Sequence, residues 1–247
     1  MKWISYLLSL IWRLWFLIIF ITVFILLIPL LFYFTSIKKN NRIVCHITRY
    51  WSKITLYLSL IFPKIEWEER IKHSGPFIFC PNHVSTLDIP FILAVIPFPL
   101  QFMGKHEIAK IPLFGYFFYK NSVIVNRTNR KESYLAYLKA KETINSGLNM
   151  CIFPEGGIPK SNVFLKKFKN GPFKLAIQNN IKIVPITIAD NKTIFPQKYY
   201  KGYPGFPRIK IHKAIKPNII KKDCAKNLNI LVYNIIFEQL KHYESNK

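Results

Sequence analysis

The sequence predicts an α/β domain, built on a mostly parallel sheet flanked by helices, with a membrane anchor at its N-terminus. Two observations lead to this prediction. After residue 63, short apolar runs typical of buried strands alternate with helix-like segments, and such alternation favours a parallel sheet covered on both faces. Before residue 63, one long apolar segment dominates. We therefore divide the 247 residues into an anchor, residues 1–62, and a domain, residues 63–247.

The anchor begins with an uncharged apolar segment, residues 14–34. As a helix it would extend about 31 Å at roughly 1.5 Å per residue, long enough to cross a bilayer. It is longer than the apolar region of a signal peptide and lacks a small-residue cleavage site, so we expect it to be retained. Residues 43–62 mix cations with aromatic and aliphatic side chains and predict an amphipathic interfacial helix. Pro29 can kink the first helix, so a single span and a monotopic two-helix anchor both remain open.

Charge and composition point to a membrane surface. The chain has 36 Lys plus Arg against 12 Asp plus Glu, a net charge of +24, which attracts polyanions. Because 51% of the residues are hydrophobic, anionic membrane lipids are the predicted partners and nucleic acid is not. Cations closely follow the apolar segment, so the positive-inside bias predicts that the domain lies on the inner, cytoplasmic face of the membrane. The four cysteines are widely spaced, which predicts reduced thiols. We also predict no metal site and no cofactor.

The domain is predicted to contain five buried strands and at least three helices. The strands are Pro76–Cys80, Pro99–Met103, Ser122–Asn126, Asn149–Phe153 and Ile181–Ile188. Helices are predicted at residues 130–147 and Phe173–Asn180, and a strand around Lys210 and a helix at Ile230–Leu240 close the domain. Sites in parallel sheets lie at the carboxyl ends of the strands. This rule selects Asn82 and His83 after the first strand, Arg127 after the third, and Glu155 and Gly156 after the fourth.

His83 and Asp88 allow two interpretations. Ser85 and Asp88 precede an apolar segment with the spacing of a helix capping box, which would explain the carboxylate without any chemistry. Alternatively, His83 lies on the loop before the helix and Asp88, in the first turn, reaches back to it. A carboxylate on one imidazole nitrogen would leave the other as a general base, with a substrate hydroxyl as the nucleophile. Ser85 and Thr86 are rival nucleophiles, although no G-x-S-x-G elbow is present.

Four ordered blocks carry a resemblance to a known family. They are NHVSTLD with FMGKHEIAKIPLFGYFF, then VIVNR, then FPEGG, then FKLAIQNNIKIVPITI, between Pro76 and Ile188. With these blocks, the chain resembles the lysophosphatidate acyltransferases (1-acylglycerol-3-phosphate O-acyltransferases). The resemblance implies transfer of an acyl group from acyl-CoA or acyl-carrier protein to the sn-2 hydroxyl of 1-acyl-glycerol-3-phosphate, giving phosphatidate.

The resemblance also implies residue roles. His83 is the expected base and Asp88 its orienting partner. Substrate-binding residues are expected within or beside the same blocks: Asn82, Lys105, Arg127, Glu155, Gly156, Gly157 and Lys160. Lys160 is included because the third block here continues as GIPKS and lacks the arginine that the family commonly has there. Asn126 likewise stands where the family usually has an acid. These departures leave the acceptor open, so another lysolipid is one alternative, and a non-catalytic basic membrane-binding protein is another.

Overall fold

The computed structural model describes residues 2–71, 75–105, 111–125, 130–160, 162–217 and 224–246. Its helices are α1 (Lys2–Phe32), α2 (Asn41–Leu58), α3 (Asp88–Val95), α4 (Phe114–Asn121), α5 (Arg130–Asn145), α6 (Gly171–Gln178), α7 (Asn191–Ile194) and α8 (Cys224–Ser245). Its strands are β1 (Lys64–Trp67), β2 (Phe77–Pro81), β3 (Leu100–Lys105), β4 (Val123–Val125), β5 (Asn149–Cys151), β6 (Lys182–Ile188) and β7 (Arg208–Ile211).

The strands form one mostly parallel sheet, which confirms the predicted fold class. Its order is β1-β7-β6-β2-β5-β3-β4, and each neighbouring pair is parallel except β6 with β7. Every predicted strand is present with ends shifted by at most two residues. The central strands β2 and β5 are buried throughout, as expected for strands covered on both faces. The sheet therefore carries the carboxyl ends of β2, β5 and β6 to one shared edge.

Helices cover the two faces of the sheet in separate groups. On one face, α3 and parts of α1 and α2 pack over Phe77, Phe79 and Ile186 in a single apolar core. On the other face, α5, α6 and α8 pack over Ile78 and Ile183 in a second core. Alternate residues of β2 thus point to opposite cores, as the two-residue period of a strand requires.

The predicted anchor, residues 1–62, contains a pair of antiparallel helices. α1 is followed by a π-helical turn, Tyr33–Ile37. Asn40 is the N-cap of α2, and its side chain accepts a hydrogen bond from the Ile43 N–H at 3.2 Å. Trp15, near the middle of α1, donates to the Leu58 carbonyl at the end of α2, at 2.9 Å. Trp3–Ile37, with a mean hydropathy of 3.0, is the one stretch among the described helices long and apolar enough to cross a membrane, by length and composition alone.

The folded domain contacts α1 near both of its ends. Tyr6 packs edge-on against Tyr200 with ring centroids 5.4 Å apart, and Ser36, just after α1, hydrogen bonds the Tyr116 hydroxyl at 2.7 Å. The helix begins twelve residues before the predicted segment, so Arg13 lies inside it instead of flanking it.

Arg13 attaches α1 to the folded domain. Its side chain is 8% exposed and donates to the backbone carbonyls of Lys201, at 2.7 Å, and of Pro196. Its guanidinium also stacks 4.2 Å from the centre of the Phe195 ring. Arg13, which directly precedes the predicted apolar segment in the sequence, is therefore bound by the domain and is not a free charge beside that segment.

Candidate active site

The candidate site lies on the loop that joins β2 to α3. His83 Nδ1 is 2.8 Å from Asp88 Oδ2, so the loop brings together the two residues that the spacing paired. Asp88 is fully buried, and the His83 side chain keeps 13% of its surface exposed. The imidazole lies against the Phe153 ring, with centroids 3.9 Å apart and planes 19° from parallel. The ring is held on one face by an aromatic side chain and on one edge by a carboxylate.

The hydrogen bond to Asp88 determines which nitrogen of the His83 ring carries the proton. An ionised carboxylate only accepts hydrogen bonds, so Nδ1 carries the proton that it shares with Asp88. Nε2 then has a free lone pair, and it forms no hydrogen bond with the part of the chain that the structure describes. A neutral imidazole with this tautomer and a buried anionic partner can take a proton at Nε2, and the carboxylate stabilises the resulting imidazolium.

Asp88 also organises the loop itself. Its Oδ2 accepts hydrogen bonds from the backbone N–H groups of Val84, at 2.7 Å, and Ser85, at 2.9 Å. The Ser85 hydroxyl in turn accepts from the Leu87 N–H at 3.2 Å. These contacts resemble a capping box, although α3 begins at Asp88 with Leu87 as its N-cap and no side-chain cap hydrogen bond. Asp88 therefore binds the loop backbone and the His83 ring at the same time, and its catalytic role stays a prediction. The Ser85 hydroxyl donates to the Phe195 carbonyl at 2.5 Å and is fully buried, which argues against Ser85 as a nucleophile.

Glu155 joins the His83 loop to a second loop. It follows β5 and is 1% exposed. Its Oε1 accepts from the His83 N–H at 2.7 Å, and its Oε2 accepts from the Lys166 N–H at 3.0 Å. Burial raises the pKa of Glu155 to about 7, while these two N–H groups oppose that rise. Both oxygens are used by the backbone, so these contacts position loops and give no support to the prediction that Glu155 binds substrate.

Asn82 also positions the His83 loop. It is fully buried, its amide donates to the Ile188 carbonyl at 3.0 Å, and its oxygen accepts from the Ile188 N–H at 2.7 Å. Both ends of the side chain therefore tie the start of the His83 loop to the end of β6. Direct substrate binding by Asn82 finds no support in these contacts.

The structure describes the remaining predicted site residues to different extents. Gly156 and Gly157 have φ values of +78° and +148°, which favour glycine, and an added Cβ at Gly157 would meet open space. Lys160 is exposed on the same loop. Lys105 ends β3, beside Val125 of β4, and only its backbone is described. Arg127 and Asn126 lie outside the described residues.

Asn191 is a residue of the site that the sequence reasoning missed. This first residue of α7 is fully buried and donates from Nδ2 to Asp88 Oδ1 at 2.8 Å. The preceding Asp190 forms a two-pronged ion pair with Arg208, at 2.8 and 2.9 Å. The only signal in the sequence is that Asp190 and Asn191 come within three residues of the end of a predicted strand, at the same edge as His83.

Within the described ranges, no three His, Cys, Asp or Glu residues form a group that could hold a metal ion. Burial raises the pKa of the Cys80 and Cys151 thiols. They are therefore held in the unreactive protonated form.

The parallel sheet and the contact between His83 and Asp88 fit an enzyme in which a side-chain base would activate a substrate group. Comparison with known proteins gives the family: the model described as "Acyltransferase" matches residues 63–189, about half of the chain, and includes both residues. The chain belongs to the acyltransferase family.

Individual relatives and a solved structure agree with this assignment. A 1-acyl-sn-glycerol-3-phosphate acyltransferase of Chlamydomonas reinhardtii is 28% identical over 72% of the chain and 52% of its own length. The enzyme of the same name from Helicobacter pylori is 27% identical over 69% of the chain and 71% of its own length. The crystal structure of the 1-acyl-sn-glycerophosphate (LPA) acyltransferase PlsC from Thermotoga maritima shares the fold, with a TM-score of 0.77 over 99% of this chain and 98% of that one, at 22% identity.

Proposed function

We propose that this acyltransferase moves a fatty acyl group from a thioester donor to the sn-2 hydroxyl of 1-acyl-glycerol-3-phosphate, giving phosphatidate. The observation that carries the proposal is the His83–Asp88 contact of 2.8 Å beside an imidazole Nε2 that no described residue occupies. The substrate pair is supported by the printed names of the relatives.

The proposed reaction begins at His83. His83 Nε2 takes the proton of the acceptor hydroxyl while the hydroxyl oxygen attacks the thioester carbonyl. Asp88, fully buried, stabilises the imidazolium that forms. The new C–O bond forms first. The C–S bond then breaks, and the proton on Nε2 passes to the departing thiolate. General-base assistance of this kind is worth roughly 10²- to 10⁴-fold in rate.

The acceptor's phosphate needs cationic partners and backbone donors. Lys105, Arg127 and Lys160, with the Gly156–Gly157 turn, are the proposed set. A lysine acts as a point charge where an arginine would form a fork. Because Lys160 stands in the block that lacks its arginine, a different lysolipid acceptor with the same chemistry is the second candidate function.

The membrane arrangement proposed for the anchor is monotopic. α1 has 31 residues, about 46 Å at 1.5 Å per residue, whereas the hydrocarbon core is about 30 Å thick. Contacts with the domain near both ends of α1 would carry domain residues into the hydrocarbon if the helix crossed upright. A helix pair lying in one leaflet, with the domain on the cytoplasmic side and anionic lipid beneath it, avoids this.

The test is acyl transfer by the purified full-length protein in detergent, with lysophosphatidate and a labelled donor, either acyl-CoA or acyl-carrier protein. Replacement His83→Ala should lower kcat by at least 10²-fold. His242→Ala, which changes an exposed histidine on α8, is the matched control and should leave kcat unchanged. Absence of transfer to any lysolipid by the wild type would disprove the proposed function, and full activity of His83→Ala would disprove the mechanism alone.

A further inference from the structure

A small cavity lies between α2, the end of α3 and the start of β1. Its volume is about 120 Å³, the volume of about four water molecules at about 30 Å³ each, which leaves room for one phosphate group. Arg49 and Lys53 line it from α2, and apolar side chains such as Val95 of α3 and Ile65 of β1 complete its wall. The described lining residues include two cations, no acid and neither member of the candidate catalytic pair. The cavity is therefore separate from the candidate active site.

The two cations of the cavity have no anionic partner among the residues that the structure describes. Arg49 and Lys53 are four residues apart on α2, so they lie on the same face and repel each other. Neither forms an ion pair with a described residue, and Arg49 Nε is buried without a hydrogen-bond partner there. Burial and the adjacent Arg49 charge lower the pKa of Lys53. Because a buried N–H without an acceptor is costly, an anion in the cavity would stabilise both side chains.

The surface beside the cavity favours a membrane lipid as the source of this anion. Four aromatic and aliphatic side chains form a stripe along α2, each with 42–58% of its surface exposed: Tyr50, Ile54, Tyr57 and Leu58. Tyr57 also lines the cavity, so the stripe and the cavity are continuous. An interfacial helix of this kind places its apolar stripe among acyl chains and its cations level with the lipid phosphates. An acidic protein or a nucleic acid has no hydrocarbon for the stripe, and the cavity has room for one anionic group only.

We propose that this cavity binds the phosphate of an anionic membrane phospholipid, with Arg49 and Lys53 as its partners. A guanidinium and an ammonium one turn apart can donate charge-assisted hydrogen bonds to the same phosphate. The apolar stripe of α2 provides a surface for the acyl chains. A bound lipid would join α2 to α3, whose first residue is Asp88, and so hold the anchor against the domain. The inference rests on the proposed position of α2 in the membrane interface and not on the proposed acyl transfer.

The experiment measures binding of phosphatidylglycerol to the purified full-length protein in detergent. This lipid is anionic but is neither the acceptor nor the product of the proposed reaction. Phosphatidylcholine with the same acyl chains, which has no net charge, and inorganic phosphate are the comparison ligands. The variant Arg49→Gln/Lys53→Gln removes both charges, and Arg49→Gln removes one. Lys139→Gln/Lys141→Gln makes the same change in net charge as the double variant at exposed sites of α5 and is the matched control.

The expected result is a Kd for phosphatidylglycerol about tenfold higher in Arg49→Gln/Lys53→Gln than in the wild type, with Arg49→Gln between the two. The Kd for phosphatidylcholine should stay within twofold in every variant, as should both values in the α5 control. Phosphatidylglycerol should also raise the unfolding temperature of the wild type more than that of the double variant, because a ligand that binds only the folded state stabilises it.

Three outcomes would overturn the inference. One is a wild-type affinity for phosphatidylglycerol in the double variant or, if that variant does not fold, in Arg49→Gln. Displacement of the lipid by an equal concentration of inorganic phosphate would assign the cavity to free phosphate, and equal affinity for the two lipids would assign binding to the acyl chains alone. Acyl transfer is measured separately on the same preparations. Loss of transfer in the wild type therefore counts against the proposed function, and only the lipid affinities count against this site.

Discussion

Replacing Asn191 with alanine tests how far catalysis depends on the residue behind the His83–Asp88 pair. Asn191 Nδ2 is the only described donor to Asp88 Oδ1, at 2.8 Å, whereas Oδ2 has three donors. A hydrogen bond to a charged group contributes about 1.5–3 kcal/mol. Losing it leaves a buried carboxylate oxygen without a partner, and each 1.36 kcal/mol that reaches the transition state lowers the rate tenfold. We expect kcat to fall about tenfold and KM to stay within twofold.

The assay needs a control for loss of stability alone. Asn149 is also fully buried and bonded at both ends, to the Phe77 N–H at 2.9 Å and the Pro99 carbonyl at 2.7 Å, but it lies at the start of β5, away from His83. Asn149→Ala should be destabilised at least as much, with kcat per folded molecule unchanged. Asn191→Asp should be less active than Asn191→Ala, since it sets a second carboxylate beside Asp88. Equal kcat in Asn191→Ala and wild type would refute the role of Asn191.

Three further predictions concern Glu155, the anchor and the thiols. Because the pKa of Glu155 is raised from 4.5 to about 7, folding favours its protonated form, so its contribution to the free energy of unfolding should decrease as pH rises through this range. Glu155→Gln should lose this pH dependence of stability in denaturant titrations. Arg13→Ala should lower the free energy of unfolding in detergent by about 2–4 kcal/mol, against little change for the exposed Arg42→Ala, and a stability equal to wild type would contradict the docking contacts. In the folded protein, alkylation at pH 8 followed by mass spectrometry should modify Cys224 and spare Cys80 and Cys151. Modification of these two buried thiols would show that burial does not control their reactivity.

The parts of the fold set by local pattern could be predicted from the sequence. Apolar runs bounded by polar residues correctly predicted the five buried strands, because a strand buried on both faces has a nearly continuous apolar sequence. The His83–Asp88 contact was predictable for a similar reason. The two residues are five apart, so a loop leading into a helix leaves few ways for them to meet.

What escaped prediction depends on contacts across the chain. Asn191 is 103 residues from Asp88, and no local pattern distinguishes a buried asparagine that supports a carboxylate from one in an ordinary turn. Arg13 at the border of an apolar segment has the same local sequence whether it flanks a membrane span or binds carbonyls about 180 residues away. Glu155 was identified as functional, but its two backbone partners depend on where the His83 and Lys166 loops fold. Sequence indicated the residue, and only the structure gave the contacts.

The contacts of Arg13 also set an order of events during synthesis. Its partner carbonyls belong to Pro196 and Lys201, so α1 leaves the ribosome long before they exist. Until residue 201 has emerged and its loop has folded, the guanidinium lacks these two carbonyl partners. Docking of the anchor helix on the domain therefore belongs to the last stages of folding. A nascent chain that stalls before Pro196 would have its first helix still undocked from the domain.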